Sequence, residues 1–134
     1  MKKINIFMDD NDDLERHFDD RGLIADVFYN SNLNHVAYVK SKIATVRGNH
    51  FHKLSTQHIL MVKGEMEYWY KNLDSLEKSR MTLVKVGDLI STPPFEIHTL
   101  RFLLDENEFI VFTEGPRGGK DYELDTVRVD NIIS

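Results

Sequence analysis

An all-β fold is what this chain predicts, and three observations carry the prediction. Its apolar residues fall in short runs rich in Val, Ile, Phe and Tyr, which suit a pleated, half-buried surface. Turn residues interrupt those runs every eight to twelve residues or so, the spacing of a β-sandwich or barrel. Segments of helical period are few: only 72–79 holds a possible helical turn, where a hairpin tip is expected, and it reads as a loop. The 134 residues suit a single domain, 1–134, long enough to bury a core.

Ten strands follow in order. Lys3–Met8 and Leu23–Phe28 flank an acidic stretch and the Asp20-Arg21-Gly22 turn. Val36–Val39 and Ile43–Val46 are short β-branched runs that stop at Arg47-Gly48-Asn49. Gln57–Val62 and Glu65–Tyr70 form a hairpin around Gly64, which permits the tight turn. In the second of these, Met66, Tyr68 and Tyr70 share one face, the pattern of a core or interface stripe, while Trp69 faces the other way as a candidate dimer contact. Met81–Val86 and Leu89–Ser91 meet at Gly87. Pro93-Pro94 ends the latter, because proline cannot donate to a ladder. Ile97–Leu103 and Phe109–Thr113 complete the set before Gly115-Pro116-Arg117-Gly118-Gly119.

Composition narrows the function. A net charge of −5 gives no electrostatic support to a nucleic-acid partner. The early acidic run (Asp9, Asp10, Asp12, Asp13, Glu15, Asp19 and Asp20) reads as a solvated face, since it lacks the glycine and closing glutamate of a calcium loop. Without cysteine there is no disulfide, thiolate nucleophile or cysteine-held metal, which fits a cytoplasmic location. The N-terminus has no apolar signal core, and no run approaches the length of a membrane span.

Chemistry concentrates at Arg47-Gly48-Asn49-His50-Phe51-His52-Lys53. Side chains two residues apart on a strand share a face, so His50 and His52 converge. Paired imidazoles can bind a divalent metal or move protons near neutral pH. Two spaced blocks surround the pair. The first is Gly48-x-His50-x-His52, four residues, Gln57, six residues, Gly64. The second is Gly87, five residues, Pro93, four residues, His98.

These blocks, in this order on an all-β pattern, resemble the two signature motifs of the cupin superfamily, which implies a double-stranded β-helix or jelly-roll barrel. The resemblance implies that His50, His52, Gln57 and His98 meet in the barrel mouth. The chain departs from the family's metal-binding form. Gln57 stands in place of a glutamate, Phe95 in place of a glycine and Phe102 in place of an asparagine. An amide oxygen carries no charge to offset a cation, so no cofactor is favoured here. A divalent metal on His50, His52, Gln57 and His98 is the alternative.

Within the superfamily the Arg-Gly-x-His-x-His-Lys run and Gln57 look like the dTDP-sugar 3,4-ketoisomerases, which need no metal. Asp20-Arg21-Gly22-Leu23 looks like a segment shared with the related dTDP-4-dehydrorhamnose 3,5-epimerases. Asp121-Tyr122-Glu123-Leu124-Asp125-Thr126-Val127-Arg128 weakly resembles their acidic C-terminal stretch; the Gly115–Gly119 turn does not match them. The resemblance implies an isomerase or epimerase of a 4-keto-6-deoxyhexose carried on a nucleotide, working as a homodimer in polysaccharide biosynthesis. It makes His50, His52 and Tyr38 the catalytic candidates, with Arg47, Gln57 and His98 binding substrate and Arg21 a weaker phosphate candidate. A metal-dependent dioxygenase or sugar isomerase and a non-catalytic sugar-binding cupin are the competing readings. His17 and His35 are expected at the surface, His58 in packing or an interface, and Tyr122 in packing of the C-terminal segment.

Overall fold

The computed structural model describes every residue except Asp12, Asp13 and Gly118. Two members of the acidic run therefore lie outside the described residues. Among those described, twelve strands and one helix follow in the order β1 (Lys2–Asn5), β2 (Arg16–Asp19), β3 (Gly22–Ala25), β4 (His35–Lys42), β5 (Val46–His52), β6 (Thr56–Lys63), β7 (Met66–Asn72), β8 (Arg80–Val84), β9 (Asp88–Thr92), β10 (Glu96–Phe102), β11 (Glu106–Glu114), α1 (Gly119–Asp125) and β12 (Thr126–Arg128).

Ten strands build two five-stranded antiparallel sheets. One runs β1-β9-β6-β11-β4 and the other β12-β5-β10-β7-β8. The two sheets remain separate ladders, so the expected all-β class and jelly-roll arrangement hold without a hydrogen-bonded closed barrel. A third ladder, β2 with β3, stands apart as a hairpin with Phe18 and Ile24 exposed on it.

The core lies between the sheets because each strand alternates its side chains. On β11, Asn107, Phe109, Val111 and Thr113 are buried while the residues between them are more exposed. Facing them, Met66 and Tyr68 of β7 and Leu100 and Phe102 of β10 complete one apolar cluster. The stripe read from Met66, Tyr68 and Tyr70 is therefore core, with Tyr70 packed at its border. Phe102 sits in the same cluster and stacks on Phe109 at 5.6 Å between ring centroids, so the residue that departs from the cupin motif is a core-filler here. Trp69 is half-buried, donating to Glu67 at 2.9 Å.

Several boundaries differ from the sequence reading. Residues 43–45 form a turn, not a strand, and the strand that follows passes straight through Gly48 to carry both histidines. A bulge makes this possible. His50 pairs with His98 and Gly48 with Thr99, leaving Asn49 as the extra residue, with φ of +95° at Gly48 and +56° at Asn49. The turn signal was real, but a bulge absorbed it. Strand β2, helix α1 and strand β12 were not expected. They are short, and α1 and β12 are set by tertiary contacts rather than by pattern.

Phe95 has φ of +65°, the left-handed conformation that explains why the cupin motif places a glycine there. Its backbone N–H donates to the His52 carbonyl at 2.8 Å, so the strained turn pins the end of the histidine strand.

Candidate active site

Strands β5 and β10 bring three imidazoles together. Ring centroids are 4.8 Å apart for His50 and His52, 4.6 Å for His50 and His98, and 5.7 Å for His52 and His98. His50 and His52 share a face by the period of two, and the cross-strand pairing supplies His98 opposite His50. Gly48 lets the strands close. A Cβ there would stand 2.6 Å from the His98 carbonyl oxygen.

The cluster opens into a cavity of about 390 Å³ between the sheets. Its inner wall is apolar, formed by Val39, Ile59, Leu100, Phe109 and Val111. Its polar side carries Arg47, Arg117, Tyr122 and Arg128 beside His50, Gln57 and His98. The cavity is thus greasy within and cationic along one side.

Burial sets the charge of the histidines. It pushes the His50 imidazole down to about 3, helped by the His98 and His52 rings. It pushes His98 down to about 4 against a hydrogen bond to the Glu96 carbonyl. His52 is also lowered by burial, but Asp125 and Gln57 oppose the shift. All three rings are neutral at physiological pH, and His52 has the surroundings most tolerant of a proton.

His98 donates from Nδ1 to the Glu96 carbonyl at 3.2 Å, which leaves Nε2 as the free nitrogen. The Tyr68 ring stacks on His98 at 6.1 Å between centroids and 5° between planes. The Tyr68 hydroxyl bonds Thr92 and donates to Glu96 at 3.2 Å. The floor under His98 is therefore rigid. His52 is 2% exposed; its Nδ1 lies 3.2 Å from the Thr126 hydroxyl and 3.7 Å from an Asp125 carboxylate oxygen. Its Nε2 is buried with no hydrogen-bond partner among the described residues. Gln57 lies beside that ring and favours its protonation, yet no hydrogen bond of good geometry reaches Nε2.

Arg47 lines the cavity with its Nε tied to Ser41 Oγ at 2.7 Å and a terminal nitrogen to the Lys40 carbonyl at 3.2 Å. Arg117 lies over the Tyr122 ring, 4.3 Å from its centroid, and Tyr122 packs against His52 at 5.7 Å. Tyr122 is thus a wall of the cavity and not merely packing for the C-terminal segment. Arg128 is paired with Glu123 at 3.1 Å on the rim.

Tyr38 does not join the site. The alternation of β4 points Val39 into the cavity and Tyr38 outward, where it is 54% exposed and donates to Glu108 at 3.1 Å. The catalytic placement of Tyr38 that the family resemblance implies is corrected, because a likeness along the sequence does not fix which face of a strand a residue occupies. Tyr38→Phe is expected to leave turnover within about twofold of wild type and stability within about 0.5 kcal/mol, measured by steady-state kinetics and urea unfolding. Arg21 is likewise outside the cavity, ion-paired with Asp19 at 2.7 Å in the β2–β3 turn. His58 bonds Ser91 at 2.7 Å and touches the Phe28 ring, outside the cavity, and the exposed His17 pairs with Asp19. His35 is partly buried, with Nδ1 unpartnered among the described residues, rather than a surface residue.

Sequence reasoning missed Asp125, Thr126, Arg117 and Arg128. The run Asp121–Arg128 weakly resembles the C-terminal stretch of the ketoisomerases, but nothing in its spacing shows that it folds back along β5.

Residues 17–114 match the family model described as the polysaccharide biosynthesis C-terminal domain. The chain belongs to this family. A search of curated protein sequences returned no match. Among solved structures, the family member described here is similar to a 3,4-ketoisomerase from Helicobacter canadensis, at 15% identity and a TM-score of 0.75, covering 95% of this chain and 89% of that one. It is similar to QdtA, a sugar 3,4-ketoisomerase from Thermoanaerobacterium thermosaccharolyticum in complex with TDP, at 14% identity and a TM-score of 0.69, covering 87% and 88%. It is also similar to the capsular polysaccharide assembling protein CapF from Staphylococcus aureus, at 20% identity and a TM-score of 0.65 over 88% of this chain. The chain spans about a third (34%) of CapF. At these identities the likeness establishes the fold, and it bears out the expected cupin-like architecture. No described helix is long and apolar enough to cross a membrane.

Proposed function

We propose that this polysaccharide biosynthesis domain isomerises a 4-keto-6-deoxyhexose carried on a nucleoside diphosphate, by histidine acid–base chemistry. The observation that carries the reading is a cluster of three neutral imidazoles, of which His50 and His98 line a cavity that carries Arg47, Arg117 and Arg128 on one side and His52 packs directly behind them. Guanidinium groups suit bidentate contact with a diphosphate. The apolar inner wall suits a deoxy-sugar methyl. The ketoisomerases of similar fold, one of them in complex with TDP, support the same substrate class. A homodimer is part of the reading, and the exposed Phe18 and Ile24 of the β2–β3 hairpin suit a subunit contact.

The proton inventory is simple. The carbonyl at C4 acidifies the hydrogen on C3. Neutral His50 takes that proton, and the electron pair moves to make the C3–C4 double bond and a negative O4. Neutral His52 takes the proton from O3, becoming an imidazolium, and gives it to O4, so that the negative charge moves to O3. O3 then closes to a carbonyl as His50 returns its proton to C4, leaving a 3-keto, 4-hydroxy sugar. A base must be unprotonated to begin, and burial keeps His50 so. With its ring pushed to about 3, kcat/KM is expected to show no ascending limb near 6.5, the ordinary value for imidazole, as pH rises from about 5 to 7. A limb at 6.5 would mean that the working base is not the buried ring. The same depression acts on stability with the opposite consequence. The unfolded histidines bind protons that the folded ones exclude, so unfolding free energy falls as pH drops below about 6.5 towards the folded values of about 3 and 4.

One observation favours a second reading. The ligand nitrogens of His50, His52 and His98 lie within 4.8 Å of one another, close enough to take a divalent ion. In that case Gln57 would supply a neutral fourth ligand, and the ion would polarise a substrate oxygen. Elemental analysis of tag-free protein, with turnover assayed in a chelator, separates the two. The acid–base reading expects only trace metal and unchanged turnover; a stoichiometric ion whose removal abolishes turnover would replace it.

A further inference from the structure

The C-terminal residues that wall the cavity are held by one carboxylate. Asp125, at the end of α1, is 2% exposed and accepts from the Leu54 N–H at 2.7 Å, the Ser55 N–H at 3.2 Å and the Ser55 hydroxyl at 2.6 Å. Its own carbonyl accepts from the Lys53 N–H at 3.0 Å. Burial alone would raise this carboxyl, but the bonds from Ser55 and Leu54 outweigh it and hold the group ionised. The carboxylate oxygen that takes the Ser55 hydroxyl also lies 3.7 Å from His52 Nδ1. The same residue therefore ties down the chain on either side of it, with Tyr122 before and Arg128 after, and faces Nδ1 of His52. Leu124, between Tyr122 and Asp125, is 72% exposed, so α1 is held to the rest of the chain through those two residues. The Ser55 hydroxyl, with one proton to give, also lies 3.0 Å from the Pro116 carbonyl, next to Arg117.

We propose that Asp125 is a positioning residue that couples diphosphate recognition to the acid–base work of His52. It sets the His52 ring, and through its clasp on the turn at 53–55 it sets the Tyr122 and Arg128 side of the cavity, against which Arg117 rests. A nucleoside diphosphate held by Arg117 and Arg128 braces this segment and so braces the carboxylate behind His52. Binding energy from a part of the substrate that does not react is thereby used at the reacting carbons. When His52 takes the O3 proton, the carboxylate stabilises the imidazolium; an amide in the same place would not. Gln57 fills the place of the glutamate that other cupins use, and Asp125 supplies the negative charge from the far end of the chain.

The inference rests on the isomerase reading, and two variants test it separately from that reading. Ser55→Ala loosens the clasp but leaves the carboxylate; Asp125→Asn keeps the shape but removes the charge. TDP affinity is measured by calorimetry, and kcat with a dTDP-4-keto-6-deoxy sugar. Both variants are expected to weaken TDP several-fold, although neither residue is placed on the diphosphate. Only Asp125→Asn is expected to lower kcat, by about 10- to 100-fold, the usual cost of losing a partner that orients a functional histidine. Equal kcat in the two variants would reduce Asp125 to a tether and overturn the proposal. Unchanged TDP affinity in both would overturn it as well. If the wild-type protein binds TDP but turns over no keto sugar, the functional reading fails, and the TDP comparison still decides whether the clasp governs the arginine side of the cavity.

Discussion

Replacing His50 with asparagine is expected to lower kcat by at least 10²-fold, and by as much as about 10⁴-fold, while leaving the chain folded. Asparagine is close to imidazole in reach and can still donate a hydrogen bond, but it cannot accept a carbon-bound proton. The position admits the change because His50 is only partly buried and contributes nothing to the apolar cluster between the sheets. The three rings are neutral at physiological pH, so the change relieves no charge repulsion with the His98 and His52 rings 4.6 and 4.8 Å away. Thermal stability should therefore stay close to that of wild type while turnover collapses. If kcat instead falls by no more than a few-fold, the proton at C3 is removed by another group.

Gly48→Ala is expected to destabilise the chain by about 2–4 kcal/mol in urea unfolding. Two costs add. The residue sits at φ of +95°, where any side chain is strained, and its new Cβ would meet the His98 carbonyl oxygen at 2.6 Å and the Thr99 Cα at 3.2 Å. Neither contact is with the movable end of a side chain, so β10 must shift away from β5. That shift carries His98 with it and spreads the imidazoles, so turnover should fall in whatever fraction remains folded. Gly22→Ala is the comparison that isolates the contact. It also has positive φ, +133°, but nothing within 4 Å of a Cβ, and it should cost less.

What could be read from the sequence was what is local. The period of two placed His50 and His52 on one face, and the turn glycines and prolines placed the hairpins, because these follow from chain geometry over a few residues. His98 was reached through motif spacing, and the structure puts it opposite His50 by strand pairing. Tyr38 was misplaced because its face depends on the register of β4 against β11, which no short interval encodes. Asp125 and Arg128 were missed for the complementary reason. Arg128 enters the site on β12 and Asp125 immediately before it; β12 is a three-residue strand whose pairing to β5 spans more than seventy positions and leaves no periodic signature. The glycine preference at Phe95 was visible as a departure from a motif, but its meaning, a left-handed residue pinned to His52, needed coordinates.

The central claim is that buried imidazole, without a metal, moves the proton at C3. It is tested most directly by incubating the protein with a dTDP-4-keto-6-deoxy sugar in heavy water containing a chelator and following the sugar by proton NMR. The account predicts deuterium at C3 or C4 together with the 3-keto isomer, both lost in His50→Asn. A sugar that binds but keeps all its hydrogens, or an exchange that stops when the chelator is added, would contradict it.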